Sequence, residues 1–241
     1  MIFRKAILLI HGFGGGIYDF GTLGNDLQMY LDFDVFTFTL PGHEKGYINN
    51  VTKDDWIRAS EEQVERLINK GYSKIYVVGH SMGGILACHL ASKYKEIKKL
   101  VLAAPAYRYF NFKDDKLDLI ETLKNSPEII KEYSKDEILS KFLKIPPKTL
   151  IEFIKLAKEN ESDLEKITCP TLIIRGNDDK VAPKESTDFV HNNIKSKVNI
   201  LMEFDNVNHY IYTEDRKEET INYTIDFLRK GHIVKKEIIN V

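Results

Sequence analysis

Six short apolar runs are spaced along the chain; five are followed by a polar or glycine-containing turn, and the run at residues 98–104 ends at Pro105. They cover residues 4–10, 35–40, 74–79, 98–104, 169–175 and 198–204. The first run shows no alternation of polar and apolar positions, as expected of a parallel strand that is covered on both faces. Apolar residues with helical spacing lie between the runs, over residues 17–31, 53–70 and 82–94, and after the last run, over residues 214–230. The pattern predicts an α/β fold built on a mostly parallel sheet.

The pattern changes between residues 106 and 166, where no strand is predicted and prolines break short helical stretches. Its first residues include four aromatic side chains: Tyr107, Tyr109, Phe110 and Phe112. An insertion of this length is typical of a cap over the carboxyl ends of the strands, where open α/β sheets bind ligands. We expect residues 1–105 and 167–241 to form the core and residues 106–166 a small helical cap. An ordinary run of crossover helices is the alternative.

Length and charge limit the classes of partner. The 241 residues suit one α/β domain, and the formal net charge of −1 gives no attraction to nucleic acid or to an anionic membrane. The apolar run at residues 6–10 is cut short by His11 and Gly12, so it is too short for a signal sequence or a membrane span. We expect a cytoplasmic protein without stable membrane insertion, either a monomer or a homodimer.

Neither the cysteines nor the C-terminal tail indicates a defined site. Cys88 and Cys169 are too few for a disulfide framework and lack the spacing of metal ligands. Residues 232–241 carry apolar side chains around a charged centre. This tail docks on the core, pairs with another subunit or has no fixed structure, and the sequence leaves the three alternatives open.

The strongest chemical signal is the segment Gly79-His80-Ser81-Met82-Gly83, which joins an apolar run to a helix. In such a strand–turn–helix unit the turn is so sharp that the positions two residues either side of the serine must lack a bulky side chain. The Ser81 hydroxyl is then lifted out of the sheet beside a helix N-terminus, whose dipole favours developing negative charge. We interpret Ser81 as a nucleophile, with a purely structural turn as the alternative.

Residues 11–16, which follow the first strand, have glycine at four of their six positions. Nucleotide binding is disfavoured, because Ile17 stands where a dinucleotide loop needs glycine and the Gly-Lys-Ser/Thr of a P-loop is absent. Small residues let the backbone approach a ligand closely. The backbone amides of Phe13 and of Met82, the residue after the nucleophile, are therefore candidates for an oxyanion hole. The alternative is a turn that only reverses the chain.

A serine nucleophile needs a base, and the base needs a carboxylate that fixes its tautomer. Ser81, the pair Asp178 and Asp179, and His209 each follow a predicted strand, so a parallel sheet brings them to one edge. His209 is the only one of the seven histidines that lies in a loop after the last predicted strand, and it is the candidate base. Asp179 is preferred to Asp178 as the acid, with Asp205 as a further candidate.

The other six histidines have structural interpretations. His11 and His80 lie at strand ends inside turns, which they are expected to brace. The remaining four follow a proline turn, lie on predicted helices or belong to the tail: His43, His89, His191 and His232.

Together these residues resemble the α/β-hydrolase superfamily, and within it the small bacterial carboxylesterases that group with monoacylglycerol lipases. The matching segments are spread over nearly the whole chain: residues 8–13, 40–43, 79–84, 169–172, 176–183 and 208–209. The resemblance implies an α/β-hydrolase fold, with six or seven strands, helices on both faces and a small helical cap that forms an acyl pocket. It also implies Ser81 as nucleophile, Asp179 as acid, His209 as base, and the amides of Phe13 and Met82 as the oxyanion hole.

Three features differ from the pattern of such esterases. Asn208 stands before His209, where glycine is usual, and Glu44 follows His43, where glycine is often found. Many members also have extra strands before the first one seen here, which is why a small sheet is expected. The first two differences concern loops near the site.

We predict a serine carboxylesterase that hydrolyses acyl esters through an acyl-enzyme intermediate, with a small-molecule ester as its partner and no metal or organic cofactor. Gly12 and Gly14 of the glycine-rich loop, with Tyr107 and Phe110 at the start of the cap, are the candidate substrate-binding residues. One set of alternatives keeps the triad in a monoacylglycerol lipase, an acyltransferase or a carbon–carbon bond hydrolase. The other alternative is a non-catalytic homologue that binds a ligand.

Overall fold

Strands and helices alternate along most of the chain in the computed structural model, which describes residues 4–44, 48–108, 112–113, 116–117, 145–230 and 235–241. The strands in these ranges are β1 (Arg4–Ile10), β2 (Asp34–Thr37), β3 (Tyr72–His80), β4 (Ile97–Ala103), β5 (Phe112–Lys113), β6 (Lys116–Leu117), β7 (Thr171–Gly176), β8 (Val198–Phe204) and β9 (Lys235–Asn240). The α-helices are α1 (Leu23–Tyr30), α2 (Lys53–Asn69), α3 (Met82–Lys93), α4 (Pro147–Glu159), α5 (Lys184–Asn193) and α6 (Lys217–Arg229).

Seven of these strands form one sheet in the order β2-β1-β3-β4-β7-β8-β9, and every neighbouring pair is parallel. All six apolar runs of the sequence become strands of this sheet. The second is shorter than predicted and ends at Thr37. The predicted parallel α/β sheet of six or seven strands is therefore confirmed at seven. Because all strands run the same way, their carboxyl ends meet at one edge.

The seventh strand comes from the C-terminal tail. Lys235–Asn240 pairs with Val198–Glu203 of β8, and Ile239 packs against the neighbouring core. The Arg216 guanidinium also donates a hydrogen bond to the Val241 carbonyl at 3.1 Å. Of the three alternatives for the tail, docking on the core is the one observed for residues 235–241.

Alternate side chains of the strands enter two separate cores, one on each face of the sheet. Leu8 of β1 and Val77 of β3 pack on the face covered by α2, α3 and α4. Leu9 and Val78, the next residue in each strand, pack on the opposite face with α1 and α6. This period of two is the ordinary consequence of strand geometry, and it explains why both faces are apolar. Helices on both faces are confirmed.

Helix α2 begins with a capping box formed by Thr52 and Asp55. The Thr52 hydroxyl accepts a hydrogen bond from the Asp55 amide at 3.3 Å, and the Asp55 carboxylate accepts one from the Thr52 amide at 3.0 Å. One turn later, Trp56 is fully buried and its indole donates to the Pro41 carbonyl at 3.0 Å. This contact holds α2 close to the chain segment that follows β2.

The inserted segment, residues 106–166, is described only in part. The expectation that it contains no strand is wrong, because β5 and β6 pair as a short antiparallel ladder; strands of two residues are too short to show alternation in the sequence. Helix α4 packs on α2 and α3 through Phe153 and Leu156. The cap boundaries stay a prediction. Among the helices that the structure describes, none has both the length and the apolarity to cross a bilayer.

Candidate active site

Ser81 occupies a strained turn between β3 and α3, with φ 55° and ψ −119°. Its amide donates to the Ala103 carbonyl at 2.9 Å, and its carbonyl accepts from the Gly84 amide at 2.9 Å. A Cβ on Gly79 would lie 2.3 Å from the Gly83 carbonyl oxygen, and one on Gly83 would lie 2.0 Å from the carbonyl oxygen of Ile10. Both glycines are therefore needed for the close approach of strand and helix, as the sequence predicts.

Asp179 and His209 come together at the carboxyl edge of the sheet. Oδ2 of Asp179 lies 2.8 Å from Nδ1 of His209, and both side chains are almost fully buried. The other oxygen, Oδ1, accepts the amides of Val181 and Ala182, each at 2.8 Å. An ionised carboxylate can only accept hydrogen bonds, so the proton on the imidazole is held on Nδ1 and Nε2 is left to accept.

The two other acid candidates are placed differently. Asp178 is exposed and contributes its backbone amide to the Val207 carbonyl at 3.0 Å. Asp205 is also exposed, and its carboxylate accepts from the Asn177 side chain at 2.6 Å. Asp179 alone of the three aspartates hydrogen-bonds to His209.

His80 connects the loop of His209 to the Ser81 turn. Nε2 of His80 lies 3.0 Å from the His209 carbonyl oxygen, and the two ring centroids are 4.9 Å apart. Within the described residues no direct hydrogen bond joins the Ser81 hydroxyl to the His209 ring. Such hydrogen bonds are often long in enzymes without substrate and tighten when substrate binds. His209 and Ser81 thus lie on adjoining turns that His80 holds together.

The glycine-rich loop lies against the serine. A Cβ on Gly12 would lie 2.9 Å from the Cβ of Ser81, so only glycine allows this approach. The amides of Phe13 and Met82 donate no hydrogen bond to another group in the part of the chain that the structure describes. Free backbone donors beside a serine at a helix N-terminus are what an oxyanion needs.

The Phe13 side chain is held by aromatic neighbours from three other parts of the fold. Its ring stacks on Phe153 of α4 with centroids 4.8 Å apart, and it meets Trp56 of α2 edge-on at 5.8 Å. The His43 ring completes the group at 6.3 Å. Aromatic pairs of this kind prefer such stacked and edge-on geometries, so the position of the residue 13 backbone is tied to two helices.

The structure describes three of the four candidate substrate-binding residues. Gly14 has φ +71° and donates its amide to Nε2 of His43 at 3.1 Å, within the same loop as Gly12. Tyr107 is buried in the core, with its ring centroid 6.1 Å from that of Phe189. Phe110 lies outside the described residues. The substrate contacts of all four stay predictions.

His11 and His43 brace the loop as neutral acceptors. Nε2 of His11 accepts the Leu40 amide at 2.9 Å, and Nε2 of His43 accepts the Gly14 amide. A nitrogen that accepts cannot carry a proton, so each ring must be neutral. Burial lowers the pKa of His11 to about 4 and also lowers that of His43. The expectation that His11 braces its turn is confirmed.

Sequence reasoning missed Asp19, which is buried beneath the glycine-rich loop. Its carboxylate accepts hydrogen bonds from the amides of Gly12 and Gly16 and faces Nδ1 of His80 at 3.3 Å. Burial alone would raise the pKa of Asp19, but the hydrogen bond and charge of His80, together with the two amides, outweigh burial and lower it. A carboxylate in a helical stretch gives no local signal of a partner 61 residues away.

Asn208, which stands where the resemblance leads one to expect glycine, orders the loop that carries His209. Its Oδ1 accepts the Tyr210 amide at 2.8 Å, and its Nδ2 donates to the Glu214 carboxylate. The Asn208 side chain thus bonds to two residues that follow His209 in the chain, Tyr210 and Glu214. In the same described ranges no group of three or more His, Cys, Asp or Glu side chains is arranged to hold a metal ion.

Comparison with known proteins identifies the family. Residues 3–216 match the sequence model of the family described as serine aminopeptidase, S33. The chain belongs to this family of α/β-hydrolases. The resemblance that the motifs indicate is therefore confirmed.

Relatives of this S33 chain align over most of its length. A thermostable monoacylglycerol lipase from Bacillus sp. (strain H-257) is 25% identical over 93% of this chain and 90% of its own length. A carboxylesterase from Bacillus subtilis (strain 168) is 26% identical over 94% of this chain and 93% of its own. The solved structure of a monoacylglycerol lipase from Paleococcus ferrophilus has a TM-score of 0.72 at 19% identity and covers 94% of this chain and 96% of that one. The structural likeness confirms the fold.

Proposed function

We propose that this S33 α/β-hydrolase is a serine carboxylesterase that hydrolyses small acyl esters through an acyl-enzyme intermediate. The observation that carries the proposal is the buried hydrogen bond of 2.8 Å between Asp179 and His209, in a loop that His80 joins to the Ser81 turn. A serine in a strained turn, a histidine of fixed tautomer and free amides beside them are the components of acyl transfer.

In the proposed reaction, the Ser81 hydroxyl attacks the ester carbonyl while Nε2 of His209 accepts its proton. The carbonyl oxygen becomes an oxyanion, to which the amides of Phe13 and Met82 donate. His209 then protonates the leaving alcohol, and the acyl group stays on Ser81. A water molecule, deprotonated by His209, attacks this acyl ester and releases the acid and the serine.

The oxyanion donors and the acid act on the reaction in different ways. An oxyanion donor is typically worth about 10²–10³-fold. The carboxylate of Asp179 keeps Nε2 of His209 unprotonated and oriented, and it stabilises the imidazolium that forms when the serine proton is transferred. None of these steps needs a metal or an organic cofactor.

The names of the relatives support an ester as the substrate. The aligned Bacillus proteins are named a monoacylglycerol lipase and a carboxylesterase, and both match over nearly the whole of this chain. Both names denote hydrolysis of a carboxylic ester. Simple alkyl esters and monoacylglycerols are therefore the two substrate groups to compare.

The test is turnover of p-nitrophenyl esters of increasing acyl length, and of monoacylglycerols, by the full chain and by Ser81→Ala. We expect Ser81→Ala to lose at least about 10⁴-fold in kcat, because nucleophile and base act as a unit. Ser73→Ala, at an exposed serine on β3, is the matched control and should keep full activity. Undiminished turnover by Ser81→Ala would contradict the proposal, and the preferred ester decides between the two substrate groups.

A further inference from the structure

We propose that Asp19 and His80 form a positioning pair. The pair fixes the glycine-rich loop (residues 11–16) and the loop that carries His209 in one geometry around Ser81. The inference rests on the proposed function, because it assigns to the pair a role in placing the reacting groups. Neither residue is proposed to touch the substrate.

The first half of the pair holds the glycine-rich loop. Oδ2 of Asp19 accepts the Gly12 amide at 3.0 Å, and Oδ1 accepts the Gly16 amide at 3.2 Å. Gly12 lies against Ser81 and precedes Phe13, whose amide is the proposed oxyanion donor. The carboxylate therefore fixes the backbone on either side of that donor.

The second half holds the base. His80 directly precedes the nucleophile, and its two ring nitrogens face two different oxygen atoms. Nδ1 lies 3.3 Å from Oδ2 of Asp19, and Nε2 lies 3.0 Å from the carbonyl oxygen of His209, a residue 129 positions away. A continuous path of hydrogen bonds thus runs from the Gly12 amide through Asp19 and His80 to the backbone of the base.

Burial makes this path stiff. The side chains of Asp19 and His80 are each only 3% exposed. Both ring nitrogens of His80 face oxygen atoms that accept hydrogen bonds, so each nitrogen that carries a proton has a partner within reach. Breaking either bond would leave a buried polar group without a partner, which costs more than the bond itself contributes.

The consequence is a specific loss of rate. A displacement of about 1 Å in a positioned group can cost about 10²-fold in rate without removing any reacting atom. If the pair fixes the two loops, its loss lowers kcat while KM stays close to the wild-type value. A pair that served stability alone would lower the melting temperature and leave kcat unchanged.

The test uses substitutions that separate the two hydrogen bonds of His80. The amide nitrogen of asparagine reaches about as far as Nδ1, so His80→Asn keeps a donor toward Asp19 and loses the bond to His209. The amide nitrogen of glutamine reaches about as far as Nε2, so His80→Gln keeps the bond to His209 and loses the one to Asp19. Asp19→Asn places an amide where three donors converge, and His191→Gln, which alters a buried histidine bonded to Asn199, is the matched control.

We expect Asp19→Asn and both His80 variants to lose about 10- to 100-fold in kcat with little change in KM. The double variant Asp19→Asn/His80→Asn should lose little more than the larger single loss, because the two residues act as one unit. Affinity for a boronic acid that mimics the tetrahedral intermediate should fall in parallel with kcat. His191→Gln should lower the melting temperature and keep kcat.

The proposal is overturned if Asp19→Asn and His80→Gln fold and keep the wild-type kcat. It is also overturned if His191→Gln loses as much kcat as the pair variants at the same loss of melting temperature. Additive losses of the single variants in the double variant would overturn it as well. If Asp19→Asn does not fold, the two His80 variants carry the test. Turnover by the wild-type chain is measured first. Failure there contradicts the proposed function, whereas an active wild type with fully active pair variants contradicts only this inference.

Discussion

Asp179 and His209 share a buried hydrogen bond of 2.8 Å across 30 residues of chain, while the adjacent Asp178 is exposed. Asp179→Asn removes the acceptor that keeps the proton on Nδ1, yet its amide oxygen can still accept from Val181 and Ala182. We therefore expect the fold to persist and kcat on a p-nitrophenyl ester to fall about 10³–10⁴-fold.

Asp178→Asn is the matched control for this prediction. It removes the same charge one residue away, from an exposed side chain that is not the hydrogen-bond partner of His209, so kcat should stay near the wild-type value. Steady-state kinetics and thermal unfolding of the two variants side by side make the comparison. A larger loss in Asp178→Asn than in Asp179→Asn would show that the acid has been assigned to the wrong residue.

The tight approach of α3 to β1 gives a stability prediction. A Cβ on Gly83 would lie 2.0 Å from the Ile10 carbonyl oxygen, which belongs to the central sheet. Because neither backbone can move without disturbing the core, Gly83→Ala should lower the free energy of unfolding by at least about 3 kcal/mol, in spite of the better helix propensity of alanine. Urea denaturation measures the effect.

Gly24→Ala provides the comparison within another helix. A Cβ at residue 24 would meet only the Leu9 side chain, at an ordinary contact distance of 3.6 Å. We expect this substitution to be neutral or to stabilise by up to about 1 kcal/mol. Equal effects of the two substitutions would mean that α3 is not held against β1 as closely as described.

His11 makes the stability of the fold depend on pH. Burial lowers its pKa in the folded protein from 6.5 to about 4. Between these values the unfolded chain binds a proton that the folded chain does not, so the free energy of unfolding falls as the pH falls. The full shift in pKa corresponds to about 3 kcal/mol of the free energy of unfolding. This contribution is present above pH 6.5 and is lost by about pH 4.

The variant His11→Gln isolates this contribution, because glutamine offers an oxygen to the Leu40 amide but does not titrate. Between pH 7 and pH 4.5, the loss in free energy of unfolding should be about 2 to 3 kcal/mol smaller in the variant than in the wild type. Urea titrations at the two pH values give both losses, and other groups cancel in the comparison. Identical losses in the two proteins would rule out a neutral buried His11.

The sheet could be predicted from the sequence because six of its strands are apolar runs bounded by turn residues. The seventh, β9, could not, because Lys235, Lys236 and Glu237 interrupt the apolar residues of the tail. A strand at the edge of the sheet needs to bury only part of its surface, so its sequence can stay polar. Its pairing with β8 is visible only in the folded chain.

The contacts of the candidate site also differ in whether the sequence could predict them. Ser81 and His209 follow strands, and parallel topology brings strand ends to one edge, so their proximity follows from the sequence pattern. The contacts of Asp19 with His80, and of Phe13 with Phe153, join elements far apart in the chain and depend on how loops pack after the sheet has formed. No local motif encodes such contacts. The short ladder of β5 and β6 could not be predicted for another reason, because strands of two residues are too short to show alternation in the sequence.

Covalent labelling tests the central claim, that Ser81 becomes nucleophilic through His209. The full chain is treated with a fluorophosphonate, digested and analysed by mass spectrometry, beside Ser81→Ala and His209→Gln. We predict one phosphonylated serine, residue 81, with no labelling of Ser81→Ala and strongly slowed labelling of His209→Gln. A wild-type chain that is unlabelled at Ser81, or a His209→Gln variant labelled at the wild-type rate, would contradict the account.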